Sequence, residues 1–156
     1  MKRLSIGSHI VDWVDARLKA HGGFSKTAHG IGLQEKRLEY DDGGSRWRTV
    51  AGVVYENWNG PNVVCHIASE GTNWPNRTFL WTIFDYPYNQ LGAERITAPV
   101  GEGNTVSRRF VERLGFEVEA RLVGAHPSGD LLMYVLRKPE AKWLGIRRHE
   151  NEKLAA

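Results

Sequence analysis

Apolar positions recur along this chain in two rhythms, and their order lays out the elements. In residues 104–116, NTVSRRFVERLGF, the side chains Val106, Phe110, Val111 and Leu114 fall on one face at helical spacing. Asn104 stands where an N-cap side chain accepts from free backbone N–H groups, and Gly115 where a left-handed residue ends a helix. Arg108 and Glu112 are placed to pair at i,i+4 on the other face. A helix is also expected over 5–20, with Ser8 as its N-cap, Ile10, Trp13, Val14 and Leu18 on one face, and Gly22-Gly23 as its stop. A longer one over 76–91 would bury Phe79, Leu80, Ile83, Phe84, Tyr88 and Leu91, with Pro87 kinking its last turn.

The second rhythm is that of strands. Residues 29–36 read as a weak strand interrupted by two glycines. After a turn at 41–45, a better strand follows over 49–58, then a turn at 59–62. Residues 63–69 are almost continuously apolar, the pattern of a strand covered on both faces. These three suggest an antiparallel meander. A short strand is expected over 94–100, ending near Pro99. Beyond residue 115, Phe116, Val118, Ala120 and Leu122 alternate with charged positions as in a half-buried strand. A hairpin loop over 124–130 leads to a return strand over 131–137. The order predicts one α/β domain over 1–138, a mixed sheet with helices on both faces. Residues 139–156 form a basic tail held by Trp143 and Leu144.

Composition narrows the class. The chain has 156 residues, 41% apolar and 25% charged, values of a soluble globular domain. No apolar run approaches the ~18–20 residues that span a bilayer, and the first residues lack an apolar signal core. The single cysteine, Cys65, cannot form an internal disulfide, so a cytoplasmic location is expected. The net charge of +3 admits an anionic partner without requiring one. Much of it crowds the end: Arg137, Lys138, Lys142, Arg147, Arg148 and Lys153. The six histidines show no metal-ligand spacing, and no metal is expected. Gly101-Glu102-Gly103-Asn104 lacks both a full dinucleotide fingerprint and a Walker lysine, so its glycines read as a tight strand-to-helix turn.

The pattern N-x-x-S-x-x-F-x-E-x-L-G-F at 104–116 resembles the penultimate helix and strand of the GNAT N-acetyltransferase family, and the element order over about 30–137 follows that family. The resemblance implies a mostly antiparallel sheet with a V-shaped splay between strands 63–69 and 94–100, where acetyl-CoA lies as co-substrate. The backbone of Ile67, Ala68 and Ser69 would hold the thioester carbonyl, since a splay leaves backbone donors unpaired. The family's Gly-rich pyrophosphate loop has no counterpart with paired glycines here. By length, 71–77 takes its place, with Thr72, Asn73 and Arg77 as donors at a helix N-terminus. Asn104 and Ser107 match positions along the pantetheine arm. Phe110 stands in the helix in which many relatives carry the tyrosine that protonates the leaving thiolate. Tyr134, Tyr88 or Ser107 would then serve, or solvent. For the general base Glu70 comes first and His66 second, followed by Glu56 and Asp85. The implied activity is transfer of acetyl to a primary amine of a small molecule, protein or nucleic acid by direct attack, in a monomer or homodimer. The alternative is a catalytically inactive binding module of the same fold, with nucleic acid as a partner suggested only by the basic tail and the tryptophans.

Overall fold

In the computed structural model the described residues are 1–19, 23–38, 44–71 and 76–145. They carry a seven-stranded mixed sheet in the order β1-β2-β3-β4-β5-β7-β6, with three helices. The chain forms two compact units, Met1–Glu56 with His66–Phe79, and Asn57–Cys65 with Leu80–Ala156.

In the first unit the expected helix over 5–20 resolves into two elements. A strand, β1 (Lys2–Ile6), pairs antiparallel with β2 (His29–Leu38), from Lys2 opposite Glu35 to Ile6 opposite Ile31. Gly7 then breaks the chain at φ 144, which L residues rarely adopt, and α1 (Ser8–Leu18) follows. Gly7, not Ser8, is the cap residue, and no side chain caps this helix. The helix closes at Lys19, whose N–H donates to the carbonyl of Asp15; Gly22 of the expected stop lies outside the described residues.

Ile10 and Val14 of α1 are fully buried against the sheet. The glycines that weakened β2 as a sequence signal are what let the helix lie there. A Cβ on Gly32 would come 2.4 Å from Ile10 Cδ1, one on Gly52 2.8 Å from Val14 Cγ2, and one on Gly30 2.9 Å from the Gly7 carbonyl. Gly32 and Gly52 face each other across β2 and β3 (Ser45–Glu56). β3 begins four residues before the expected boundary, where Trp47 stacks under the Arg3 guanidinium at 4.1 Å. A bulge at Leu33/Gln34 turns Gln34 inward, where its amide donates to Thr49 Oγ1 at 3.2 Å and accepts from Arg3 Nε at 3.0 Å. Most of the expected 41–45 turn lies outside the described residues.

β4 (Asn62–Ser69) follows β3 through the expected turn, closed by Asn59 N–H to the Asn62 carbonyl. In the second unit its first residues run parallel to β5 (Arg95–Gly101), Asn62 to Val64 opposite Arg95 to Thr97. The long helix expected over 76–91 is α2 (Arg77–Asp85) followed by a π-turn, Tyr86–Gln90. Asn76 caps it by accepting from Phe79 N–H at 2.9 Å. The π-turn closes with Leu91 N–H to the Tyr86 carbonyl, and Pro87 sits in its first turn.

The 104–116 stretch folds as read: α3 (Thr105–Leu114), with Asn104 Oδ1 accepting from Ser107 N–H at 3.1 Å and Gly115 left-handed at φ 102. Its apolar face is narrower than expected, because Val111 and Leu114 are buried while Val106 is 70% exposed. Arg108 and Glu112 meet through a third group: Arg108 Nε donates to the Tyr134 hydroxyl at 3.3 Å, which donates to Glu112 at 2.7 Å.

β6 (Glu117–His126) departs most from expectation. It is an edge strand hydrogen-bonded to β7 (Gly129–Arg137), and Val118 and Leu122 are 50% and 44% exposed. A register shift between Val118 and Ala120 breaks the alternation, so the apolar residues do not share one inward face. The ladder runs on to His126 opposite Gly129, which shortens the expected 124–130 loop to Pro127-Ser128. Two short 3-10 turns, Lys138–Glu140 and Lys142–Gly145, follow, with Trp143 half-buried. Arg147, Arg148 and Lys153 of the basic tail lie outside the described residues. Among the described residues no helix is long and apolar enough to cross a membrane.

Candidate active site

The chemistry-bearing side chains of the first unit gather on β4 and on what covers it. Ala68 packs into a cluster with Ile10, Val14 and Val54, beneath α1. Alternation along a strand puts His66 and Glu70 on the same side as Ala68, one before it and one after.

His66 Nε2 lies 3.1 Å from Glu56 Oε1, at the end of β3. The other carboxylate oxygen of Glu56 accepts the Ser25 backbone N–H at 2.8 Å, and the Phe24 ring lies over the imidazole with centroids 4.7 Å apart. The two side chains are only 18% and 13% exposed. An ionised carboxylate accepts only, so Nε2 carries the hydrogen and Nδ1 presents the lone pair. Burial lowers the His66 pKa below the ordinary imidazole value, and the bond and charge of Glu56 pull it back only in part. Near neutral pH the ring is therefore neutral, oriented and basic at Nδ1.

Glu70, the first choice for the base, sits differently. Arg17 of α1 bonds one of its oxygens and Arg48 of β3 the other, the latter at 2.5 Å. Its N–H donates to the Val50 carbonyl at 2.8 Å. Desolvation pushes its pKa up, but the bonds and charges of Arg17 and then Arg48 outweigh that and hold it below the usual carboxylate range. A carboxylate with both oxygens taken by guanidiniums is a weak proton acceptor. Arg17 is itself fixed, lying 3.6 Å over the Trp13 ring.

The tyrosines expected to donate a proton are committed elsewhere, both in the second unit. Tyr134 is fully buried, its hydroxyl bridging Arg108 and Glu112; burial raises its pKa, Arg108 lowers it and Glu112 raises it further. Tyr88, also fully buried, donates to the Leu136 carbonyl at 2.7 Å. Asp85 accepts from Asn89 and Gln90. Asn104 is occupied as a helix cap, while Ser107 and Phe110 are half-buried on the same helix. Ile67 and Ser69 are half-buried on β4, and Arg77 is exposed at the start of α2. Thr72 and Asn73 lie outside the described residues. Cys65 is buried and its thiol pushed up to about 12, so it stays protonated. Among the described residues no three His, Cys, Asp or Glu side chains are grouped to hold a metal ion.

Sequence reasoning named His66, Glu56 and Glu70 but missed which of them pair. Glu56 and His66 stand on either side of the turn at 59–62, at nearly equal distances from its centre, and that symmetry was a readable signal. Nothing in the sequence singled out Arg17, Arg48 or Phe24 among so many cations and aromatics.

The strand order, with one parallel pair in an otherwise mostly antiparallel sheet and α3 following β5, defines the GNAT N-acetyltransferase fold. Particular solved structures carry it. The spermidine/spermine N-acetyltransferase SpeG of Vibrio cholerae, in glutamate-to-glutamine mutant forms, aligns with a TM-score of 0.65 at 12% identity, covering 90% of this chain and 97% of that one. The spermidine N-acetyltransferase of Vibrio cholerae in complex with CoA and spermine aligns at 0.62 and 13% identity, covering 88% and 97%. A GNAT-family acetyltransferase of Bacillus anthracis aligns at 0.53 and 15% identity, over 71% and 67%. No protein-family profile matches the sequence, and no curated protein matches it.

Proposed function

We propose that this chain is an acetyl-CoA-dependent N-acetyltransferase acting on a primary amine, with His66 as the general base. The observation that carries the reading is the buried His66–Glu56 pair on a strand of this fold. Nδ1 of the neutral imidazole takes a proton from the acceptor ammonium, directly or through one water. The freed nitrogen attacks the thioester carbonyl; a C–N bond forms, the C–S bond and one N–H bond break, and the leaving thiolate takes up that second proton and departs as CoA. Glu56 holds the ring in the tautomer that exposes Nδ1 and stabilises the imidazolium that forms, as the carboxylate of a catalytic triad does.

The rest of the assignment follows the family resemblance. In the first unit the backbone of Ile67, Ala68 and Ser69 receives the thioester oxygen, and Thr72, Asn73 and Arg77 the pyrophosphate. In the second, Asn104, Ser107 and Phe110 line the pantetheine arm, Asn104 through its amide donors. With Tyr134 and Tyr88 committed, Ser107 or solvent relays the nitrogen's second proton to the leaving thiolate. The CoA and spermine bound by a neighbour of the same fold support the co-substrate and the amine as classes.

The test is a melting curve with saturating acetyl-CoA, with ATP as control. At 100 times its dissociation constant a ligand adds ~2.7 kcal/mol, about 5–10 °C for a chain of this size. His66→Gln should keep that shift and lose ~10²–10⁴ of turnover. An absent shift refutes the co-substrate, and a fully active His66→Gln refutes the base.

A further inference from the structure

We propose that Arg17 and Arg48 form a receptor for an anionic group on the acceptor, that Glu70 fills it in the free protein, and that the acceptor is an amine on a short acidic peptide. This rests on the acetyltransferase reading for the amine, but not for the anion.

Three features support a receptor over an ordinary surface ion pair. The two guanidiniums come from different elements, α1 and β3, and converge on the two oxygens of one carboxylate. Arg17 is pre-organised, its plane stacked on Trp13 and its Nη1 donating to the Trp13 carbonyl at 3.3 Å. Arg48 has a side chain 49% exposed and bonds Glu70 through Nη2, so an incoming group can reach it. The cluster holds two positive charges and one negative. It therefore accepts a second carboxylate, or exchanges Glu70 for one, and opposes a polycation. Planar two-point recognition of carboxylates is what arginine does best.

Spacing then selects the ligand. His66 on β4 and Glu70, one residue past its end, are four residues apart, a span of about 13 Å at ~3.3 Å per extended residue. An amine at His66 and a carboxylate at the clamp must be separated by a comparable span. Three residues of extended peptide cover about 10 Å, and the side chains at both ends supply the remainder. An α-amino acid is too short to reach both.

The probes are Ala-Ala-Glu and Ala-Ala-Gln amide, which keeps the amine but has no carboxylate, with spermine as the polycationic control, bound to the full-length chain by titration calorimetry and then assayed as acceptors. The acidic peptide should bind at least about 10-fold more tightly than the amide, and spermine more weakly than either. Arg48→Gln, a change on a half-exposed side chain, should erase the difference. Glu70→Gln should widen it by removing the competing carboxylate. Equal binding of the two peptides, or a preference that survives both Arg48→Gln and Arg17→Gln, overturns the inference. Clamp-dependent binding without acetylation would uphold the receptor and refute the acetyltransferase reading instead.

Discussion

Replacing Gly32 by alanine tests whether α1 is seated as described. The new Cβ would lie 2.4 Å from Ile10 Cδ1, 3.0 Å from Ile10 Cγ1 and 3.3 Å from the Ala51 carbonyl. Ile10 has little room to yield. It is fully buried and stiff at χ1 as a β-branched residue. Overpacking of this kind costs ~1–3 kcal/mol, while the reduced entropy of the unfolded chain returns ~0.4–1 kcal/mol. The net expectation is a loss of about 1–2 kcal/mol, or about 2–8 °C in melting temperature. The assay is a double-mutant cycle in urea with Ile10→Val. Valine removes the Cδ1 methyl at its own cost of ~0.5–1.5 kcal/mol, and in that background Gly32→Ala should cost less by about 1 kcal/mol. A neutral Gly32→Ala, or an equal cost in both backgrounds, would refute the steric argument. Because Arg17 rides on the same helix, the variant should also weaken the clamp on Glu70.

The remaining expectations concern the base and the caps. The acidic limb of the kcat/KM profile should fall below pH 6.5, where a buried imidazole ionises, and Glu56→Gln should move it lower still, because Glu56 raises the His66 pKa; an unmoved limb would separate His66 from the reaction. Since the folded-state pKa is depressed, the unfolded chain binds the extra proton. Stability should therefore fall as pH drops below about 6.5 and level off beneath the folded value; His66→Gln should flatten that slope in urea titrations. Asn104→Ala should cost about 1 kcal/mol by loss of the cap on Ser107 N–H, and a cost near zero would mean that the helix start is held by other groups.

What the sequence disclosed depended on how local each cause was. The α3 helix was legible from Asn104 to Gly115 because its caps and apolar spacing lie within one short segment. β1 was missed because five residues joined directly to a helix share its apolar rhythm, and Gly7 alone marks the break. The glycines of β2 looked like weaknesses because their purpose, room for Ile10 and Val14, lies on another element. The faces of β6 were misread because alternation assumes an unbroken ladder, and a bulge depends on the partner strand. At the site, sequence position favours Glu70 over His66 as the base, whereas in the fold Arg17 and Arg48 converge on Glu70. Charges that meet only after folding leave no mark on spacing.

The π-turn at Tyr86–Gln90 bears on how this chain compares with others. A π closure spans one residue more than an α closure, so a helix containing one behaves like a helix with a single inserted residue. Any alignment carried through this segment without a gap would arrive at β5 one position out of step. Alternate residues of a strand face opposite sides of the sheet, so that error would set the residues of Arg95–Gly101 that face one side against residues that face the other. Relatives with an uninterrupted helix here should therefore be compared with a one-residue gap placed inside the turn, and identity along β5 should be counted only after that correction.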